Sequence, residues 1–255
     1  MRLGRKPAGP DESVGVGGLG QPEQVFFVLN DSACPYLPGQ RERKLITELA
    51  GPDPTQQLSE LSRAGFRRSH NFAYRPACTA CRSCVPVRIP VRDFVRSRSQ
   101  KRVWQANEHL DAIIRPARAT LEQYRLFSDY VTSRHRDGEM AGMTFADYRA
   151  MTEHGRVETR LVEFRERNGR LAAACLADWL DDGPSAVYSF YDPACNGRSL
   201  GTYVILWLIQ HTRARGLSHV YLGYWIANSS KMSYKVRFQP VEVLGEDGWT
   251  ALGSR

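Results

Sequence analysis

The stretch from Arg160 to Ile226 constrains the fold of this 255-residue chain more than any other. Arg160 to Arg165 reads as a strand, Asn168-Gly169 is a strong hairpin signal because both residues tolerate positive φ, and Leu171 to Leu180 reads as the returning strand. Asp181-Asp-Gly-Pro184 turns the chain into a third strand, Ser185 to Tyr191. After Asp192-Pro193 comes a helix. Ser199 is its candidate N-cap, Tyr203-Val-Ile-Leu-Trp-Leu-Ile209 is apolar on most sides, and Arg213, Arg215 and Gly216 mark its end. A helix that apolar is buried. His219 to Ile226 returns as a strand, Lys231 to Arg237 is basic, and a last strand pair falls between Val241 and Leu252. Strands followed by a buried helix and a further strand predict an α+β domain, a mixed sheet carrying helices.

The first half is less regular. Met1 to about Pro22 is rich in Gly and Pro and has few large apolar groups, so residues 1–22 read as a flexible tail. Val25 to Leu29 is a short apolar strand, Gln40 to Leu49 a short helix, and Leu58 to Gly65 another. Ser69 to Tyr74 and Val85 to Val91 are β segments. Three further helices are expected at Val95 to Leu110, Thr120 to Arg134 and Thr144 to Thr152, the first two joined around Arg115-Pro116. The first of them is basic, with Arg96, Arg98, Lys101 and Arg102, and carries a Trp104 that reads as exposed and able to stack on a base. These features divide the chain into an N-terminal cysteine-containing α/β region, 23–115, and a second domain, 116–255.

Four of the six cysteines fall in that N-terminal region. Cys78, Cys81 and Cys84 form a CxxCxxC run that brings three thiols within reach of one soft metal ion, and Cys34, in the turn-rich Cys34-Pro-Tyr-Leu-Pro-Gly39 loop, can supply the fourth ligand. Reduced, packed thiols are the alternative reading. No stretch approaches the roughly 18 apolar residues of a membrane span, and the N-terminus lacks the apolar core of a signal peptide, so the expected compartment is the cytoplasm, with no membrane partner. There thiols stay reduced rather than forming a disulfide framework. A net charge of +8 favours a polyanionic partner: nucleic acid, a phosphorylated cofactor or an acidic protein.

The order of the second half resembles the acetyltransferase (GNAT) fold, in which a helix N-terminus holds a pyrophosphate on its free amides. The coenzyme A version carries Arg/Gln-x-x-Gly-x-Gly/Ala. Here Arg198-Ser-Leu-Gly201-Thr-Tyr203 keeps one glycine and puts Tyr203 where the small residue would be, which predicts crowding of a pyrophosphate and a different donor.

Several longer motifs narrow the resemblance. Cys34-Pro-Tyr-Leu-Pro, Gly65-Phe-Arg-Arg-Ser, Tyr74-Arg-Pro, Cys81-Arg-Ser-Cys84-Val-Pro-Val-Arg-Ile, Ser189-Phe-Tyr-Asp-Pro193, Ser199-Leu-Gly-Thr-Tyr203, and Tyr221-Leu-Gly-Tyr-Trp-Ile226 followed by Lys231-Met-Ser-Tyr-Lys235 resemble the bacterial aspartate/glutamate leucyltransferases, relatives of the eukaryotic arginyl-tRNA–protein transferases. The match runs in order through roughly residues 25–245. It implies transfer of leucine from leucyl-tRNA to the α-amine of proteins that begin with Asp or Glu, marking them for degradation by the N-degron route. It leaves open an arginyl-tRNA donor; a coenzyme A-dependent N-acyltransferase and a zinc-containing RNA-binding module are the readings from other classes. Oligomeric state is not legible. Eukaryotic relatives are associated with iron–sulfur binding at related cysteines, so the Cys34, Cys78, Cys81 and Cys84 set is expected to bind iron, zinc or nothing.

An aminoacyl-tRNA is an activated ester, so its transfer requires no cofactor. The protein must place a neutral amine against the carbonyl, stabilise the oxyanion and protonate the leaving ribose oxygen. An α-amine has a pKa of about 7.7–8.0, so a modest base is enough. Asp192 is a candidate proton acceptor, and Tyr188, Tyr191 and Tyr224 are candidate donors. An acidic first residue calls for a guanidinium fork: Arg67, Arg68, Arg75 and Arg88, with Tyr74, are expected to bind the acceptor. Lys101, Arg198, Ser199, Gly201, Lys231 and Lys235 are expected to hold the tRNA.

Overall fold

The structure is a computed structural model that describes residues 24–253 apart from 135, 137, 228 and 231. The tail 1–22 lies outside the described residues. Strands β1 Phe27–Val28, β2 Ser32–Ala33, β3 Arg41–Glu42 and β4 Lys44–Glu48 precede helix α1 Pro54–Arg63. Strands β5 Arg67–Ser69, β6 Phe72–Pro76 and β7 Val85–Pro90 then lead to α2 Arg98–Asn107, β8 Asp111–Pro116, α3 Leu121–Arg134 and α4 Phe145–Glu153. The second half runs β9 Thr159–Arg165, β10 Leu171–Leu180, β11 Gly183–Tyr191, α5 Leu200–Ala214, β12 His219–Trp225, β13 Glu242–Gly245 and β14 Gly248–Ala251.

Eight strands make the large sheet, in the order β14-β13-β7-β12-β11-β10-β9-β8; four make a smaller one, β1-β4-β6-β5, and β2 pairs with β3. The expected α+β, GNAT-like mixed sheet with helices is therefore present, with β11 and β12 its parallel pair. The small sheet ends at Pro76. The remainder of the 23–115 segment gives β7 and β8 to the large sheet, because Val87, Ile89 and Val91 bury in its core.

Burial on both faces explains why β10 reads as one apolar run. Ala173, Cys175 and Ala177 face the cluster under α5, with Val162, Leu206 and Ile209; Ala174 and Leu176 face the opposite cluster, with Phe127, Val131 and Tyr148 from α3 and α4. A third cluster, with Leu49, Leu58, Leu61 and Phe66 against Leu180 and Tyr221, ties the small sheet to the large one.

Local chemistry sets the helix ends. Asp53 accepts the Gln56 N–H at 2.9 Å with Pro54 at the first turn, and Ser97/Gln100 and Thr144/Asp147 form capping boxes. Three expectations fail locally. The segment Gln40 to Leu49 is not a helix: Ile46 stands between Phe27 and Tyr74 in the small sheet, and pairing on both sides outweighs helical propensity. The link between α2 and α3 is not a bare turn, since β8 pairs along β9 from Asp111 to Pro116. Ser199 precedes α5 at φ 52° and its side chain makes no capping bond.

Candidate functional site

The site grows from the place where β11 and β12 part. Their register is fixed at Ser185 opposite Tyr221. Beyond it the carbonyls of Ala186 and Val187 are taken by a side chain from the other sheet: Arg67 of β5 donates from Nη2 to both, at 2.9 and 3.2 Å. Gly223 on β12 sits at φ 72°, and a Cβ there would fall 2.1 Å from Arg67 Nη1. Glycine is required twice over, by the backbone and by the guanidinium. A glycine inside a strand is itself a sign of a bulge or a close approach, and Tyr221-Leu-Gly-Tyr carried that sign.

Tyr224, next along β12, is buried, and its hydroxyl lies 2.9 and 3.0 Å from the carbonyls of Gly65 and Tyr74. Its ring lies 6.2 Å from that of Tyr74. Arg67 and Tyr74, expected to bind the acceptor, thus lie beside Tyr224, expected to donate in the chemistry, but the Tyr224 hydroxyl is spent on joining the two sheets. Arg75 is exposed beside them, its guanidinium 5.1 Å from the Phe66 ring.

Opposite stands a wall of tyrosines. Tyr188 and Tyr191 of β11 meet Tyr130 of α3 with ring centroids 6.5 and 4.8 Å apart, and Arg134 covers Tyr191 at 5.9 Å. Tyr234 completes the set: its phenol feels the charges of Arg67 and Tyr191. Burial pushes Tyr188 up to about 12 and raises Tyr130 as well, and desolvation of the hydroxyl raises Tyr234, although that residue stays 40% exposed. These phenols stay protonated at physiological pH, so they can donate hydrogen bonds and cannot act as bases. Tyr130 and Tyr234 were not singled out from sequence; only their distance from β11 in the chain hid them.

Other expected residues have different work. Arg68 is buried in a two-pronged pair with Asp178, both bonds 2.8 Å, and Thr159 donates to the same carboxylate at 2.7 Å. It cannot reach an acceptor. Arg88 pairs with Glu242 at 2.7 Å and lies 4.4 Å over Trp249, which fixes it in the sheet. Asp192 caps the turn Pro193–Arg198, accepting the Ala194 N–H at 2.8 Å, and its other oxygen pairs with Arg170. Both of its oxygens are thus engaged within the fold.

The expected tRNA contacts also divide. Arg198 is held by Glu166 at 2.5 Å and Asn107 at 3.0 Å, and that contact with Arg198 keeps Glu166 below the usual carboxylate range. Gly201 is small because the Tyr191 ring would stand 3.1 Å from its Cβ. Tyr203 does not crowd the helix N-terminus. It is buried against Trp104 and Phe164 at 5.3 and 5.7 Å, and Trp104, half-buried, is covered by Arg96 at 3.7 Å rather than offered to a base. Lys101 is exposed beside a cavity of about 480 Å³ lined in part by Phe94, Leu206 and Ile209. Lys235 is buried, 5% exposed, which takes it away from any phosphate. Lys231 lies outside the described residues.

The cysteines share one neighbourhood. The Cys84 thiol is pushed up to about 11 by burial and then by Cys34, Cys78 and Cys81. Four thiols suit a soft metal in kind. As they stand, Cys78 turns to the Arg43 carbonyl and Cys81 to the Ser83 hydroxyl, and among the described residues no three His, Cys, Asp or Glu side chains are gathered in a ligating group.

Comparison with known proteins fits this geometry. Residues 32–102 match the family model described as arginine-tRNA-protein transferase, N terminus, and residues 122–245 match its C-terminal counterpart. The aspartate/glutamate leucyltransferase of Paramagnetospirillum magneticum is 54% identical over 224 residues, 88% of this chain and 92% of that protein. The chain belongs to that family. The Rhodospirillum rubrum member is 53% identical, covering 90% of this chain and 94% of its own. A transferase of this family is an enzyme, a tRNA-dependent aminoacyltransferase. The solved structure of L-PGS from Bacillus licheniformis matches with a TM-score of 0.50 at 12% identity, covering 66% of this chain and 58% of that one, which speaks for the fold alone. Within the leucyltransferase family frame, the arginine wedged between β11 and β12 and the tyrosines facing it form the candidate active centre.

Proposed function

We propose that this enzyme moves leucine from leucyl-tRNA to the α-amine of proteins that begin with Asp or Glu, in the cytoplasm, as the first step of their degradation. The observation that carries this reading is Arg67, a half-buried cation that, among the described residues, is bonded only to carbonyls and is set between two sheets beside the exposed Arg75. A fixed guanidinium in a cleft is the expected receptor for a carboxylate side chain. The names of the relatives point the same way for donor and acceptor. Among the described residues no helix is long and apolar enough to cross a membrane.

The chemistry asks for placement more than for reactive groups. The aminoacyl ester brings its own activation, the phenols of Tyr188, Tyr130 and Tyr234 are protonated donors for the oxyanion or the leaving ribose oxygen, and water is kept from the amine by the aromatic wall that Tyr191 shares with them. Basic residues toward Lys101 supply counter-charge for the acceptor stem. The four cysteines would hold a soft metal behind Tyr224 and Tyr74 as a structural element; metal analysis of protein purified without oxygen checks this, and fully active metal-free protein would end that reading.

The deciding experiment offers labelled leucyl-tRNA and arginyl-tRNA separately, with peptides starting with Asp, Glu, Lys or Ala. Leucine moving only to the acidic peptides is expected. Arginine moving instead would change the donor, and transfer irrespective of the first residue would remove the role of Arg67.

A further inference from the structure

Among the described residues, the buried amine that faces Arg67 has no counter-ion. Lys235 lies in the single turn Lys235–Arg237 that follows β12; its Nζ donates to the Tyr224 carbonyl at 2.5 Å and lies 4.0 Å from Met232 Sδ. Among the described residues no carboxylate is within ion-pair distance of it. The charge that faces it is Arg67 from β5, which is bonded among the described residues to the Ala186 and Val187 carbonyls. The titratable groups around this pair are Tyr224 of β12, Tyr74 of β6, Tyr36, Cys84 and, beside Lys235 itself, Tyr234. A buried cation facing a half-buried one is costly, and a lysine relieves such a cost by giving up its proton. Burial, then Arg67, lowers Lys235 to about 7.

We propose that Lys235 is a charge-compensating residue that couples recognition of the acidic side chain to deprotonation of the acceptor amine. This rests on the reading of Asp and Glu N-termini as acceptors. In the free enzyme the amine of Lys235 is largely uncharged. When the substrate carboxylate arrives at Arg67, its negative charge stabilises the ammonium form, and Lys235 takes up one proton. The α-ammonium of the acceptor gives up one proton. The two changes balance, and the α-amine is left with the lone pair that attacks the ester. A peptide beginning with Asn or Gln brings no charge, Lys235 stays neutral, and its α-ammonium must release its proton to solvent. Selection for acidic residues thus acts on the reacting nitrogen as well as on binding. Lys235 works through its field and does not touch the reacting atoms.

The test uses the full chain and a succinyl peptide, which has the carboxylate of an N-terminal Asp and no amine, with the matching amide as control. Calorimetric titration at pH 7.5 in buffers of different ionisation enthalpy counts protons. The succinyl peptide should bind with uptake of about half a proton or more per site, as a group of pKa about 7 moved upward requires. Lys235→Arg, which keeps the cation, and Lys235→Met should both bind it without uptake. Tight binding of the succinyl peptide without uptake, or equal uptake in both variants, overturns the role of Lys235 and leaves the acceptor reading intact. Equal binding of succinyl and amide peptides overturns the acceptor reading and this role with it.

Discussion

Arg67 fills the space that a side chain on Gly223 would occupy: a Cβ built there meets Nη1 at 2.1 Å and Cζ at 2.4 Å. Gly223→Ala should therefore displace the guanidinium from the Ala186 and Val187 carbonyls and strain a residue at φ 72°, at a cost of about 1–2 kcal/mol for the backbone alone. Transfer to acidic peptides should fall about tenfold or more. Steady-state transfer assays check it; a variant with normal KM for Asp peptides would show that the wedge is not the acceptor site.

The Arg68–Asp178 pair should behave as structure. Both side chains are almost wholly buried, 2% and 1% exposed, so Arg68→Ala leaves a carboxylate uncompensated and should cost about 3–5 kcal/mol, a fall in Tm on the order of 10 °C for a chain of this size. The double change Arg68→Met with Asp178→Leu should recover much of that loss. Thermal unfolding distinguishes the two, and an Arg68→Ala protein that is stable but does not bind acidic peptides would reverse the assignment.

Stability should depend on pH through Lys235. The folded protein holds this amine at about 7, against an ordinary value of 10.5, so between pH 7 and 10 the unfolded chain binds more protons and stability rises with pH. Below pH 7 both forms are protonated and the full penalty of the buried charge remains. The buried phenols, raised in the fold, begin to oppose the trend only above about pH 10. Urea unfolding at pH 6, 7.5 and 9 should show a rise that Lys235→Met flattens; an identical slope in the variant would place the effect elsewhere.

Asp192→Asn should leave transfer within about threefold of the parent. The amide oxygen still accepts the Ala194 N–H, and the part-exposed pair with Arg170 is worth no more than about 1 kcal/mol. Loss of a general base would instead lower the rate by about 100-fold or more, and a drop of that size would restore Asp192 to the chemistry.

How much of this was legible in advance differs along the chain. The hairpin at Asn168-Gly169, the two-sided burial of β10 and the apolar α5 were written in local residue order, because turn geometry and the covering of both sheet faces act on neighbours a few residues apart. What the sequence could not fix was the partner of each charged group. Arg68 and Arg67 are adjacent in the chain, and only the approach of Asp178 to one and of Gly223 to the other makes the first a buried strut and the second a wedge between strands. The same holds for Lys235, which reads as a solvated cation until the packing of Tyr224 and Arg67 removes water from it. Periodicity and turn chemistry belong to the sequence; desolvation depends on what the fold brings across a gap, and it decides which cations stay open to solvent and which are sealed into the interior.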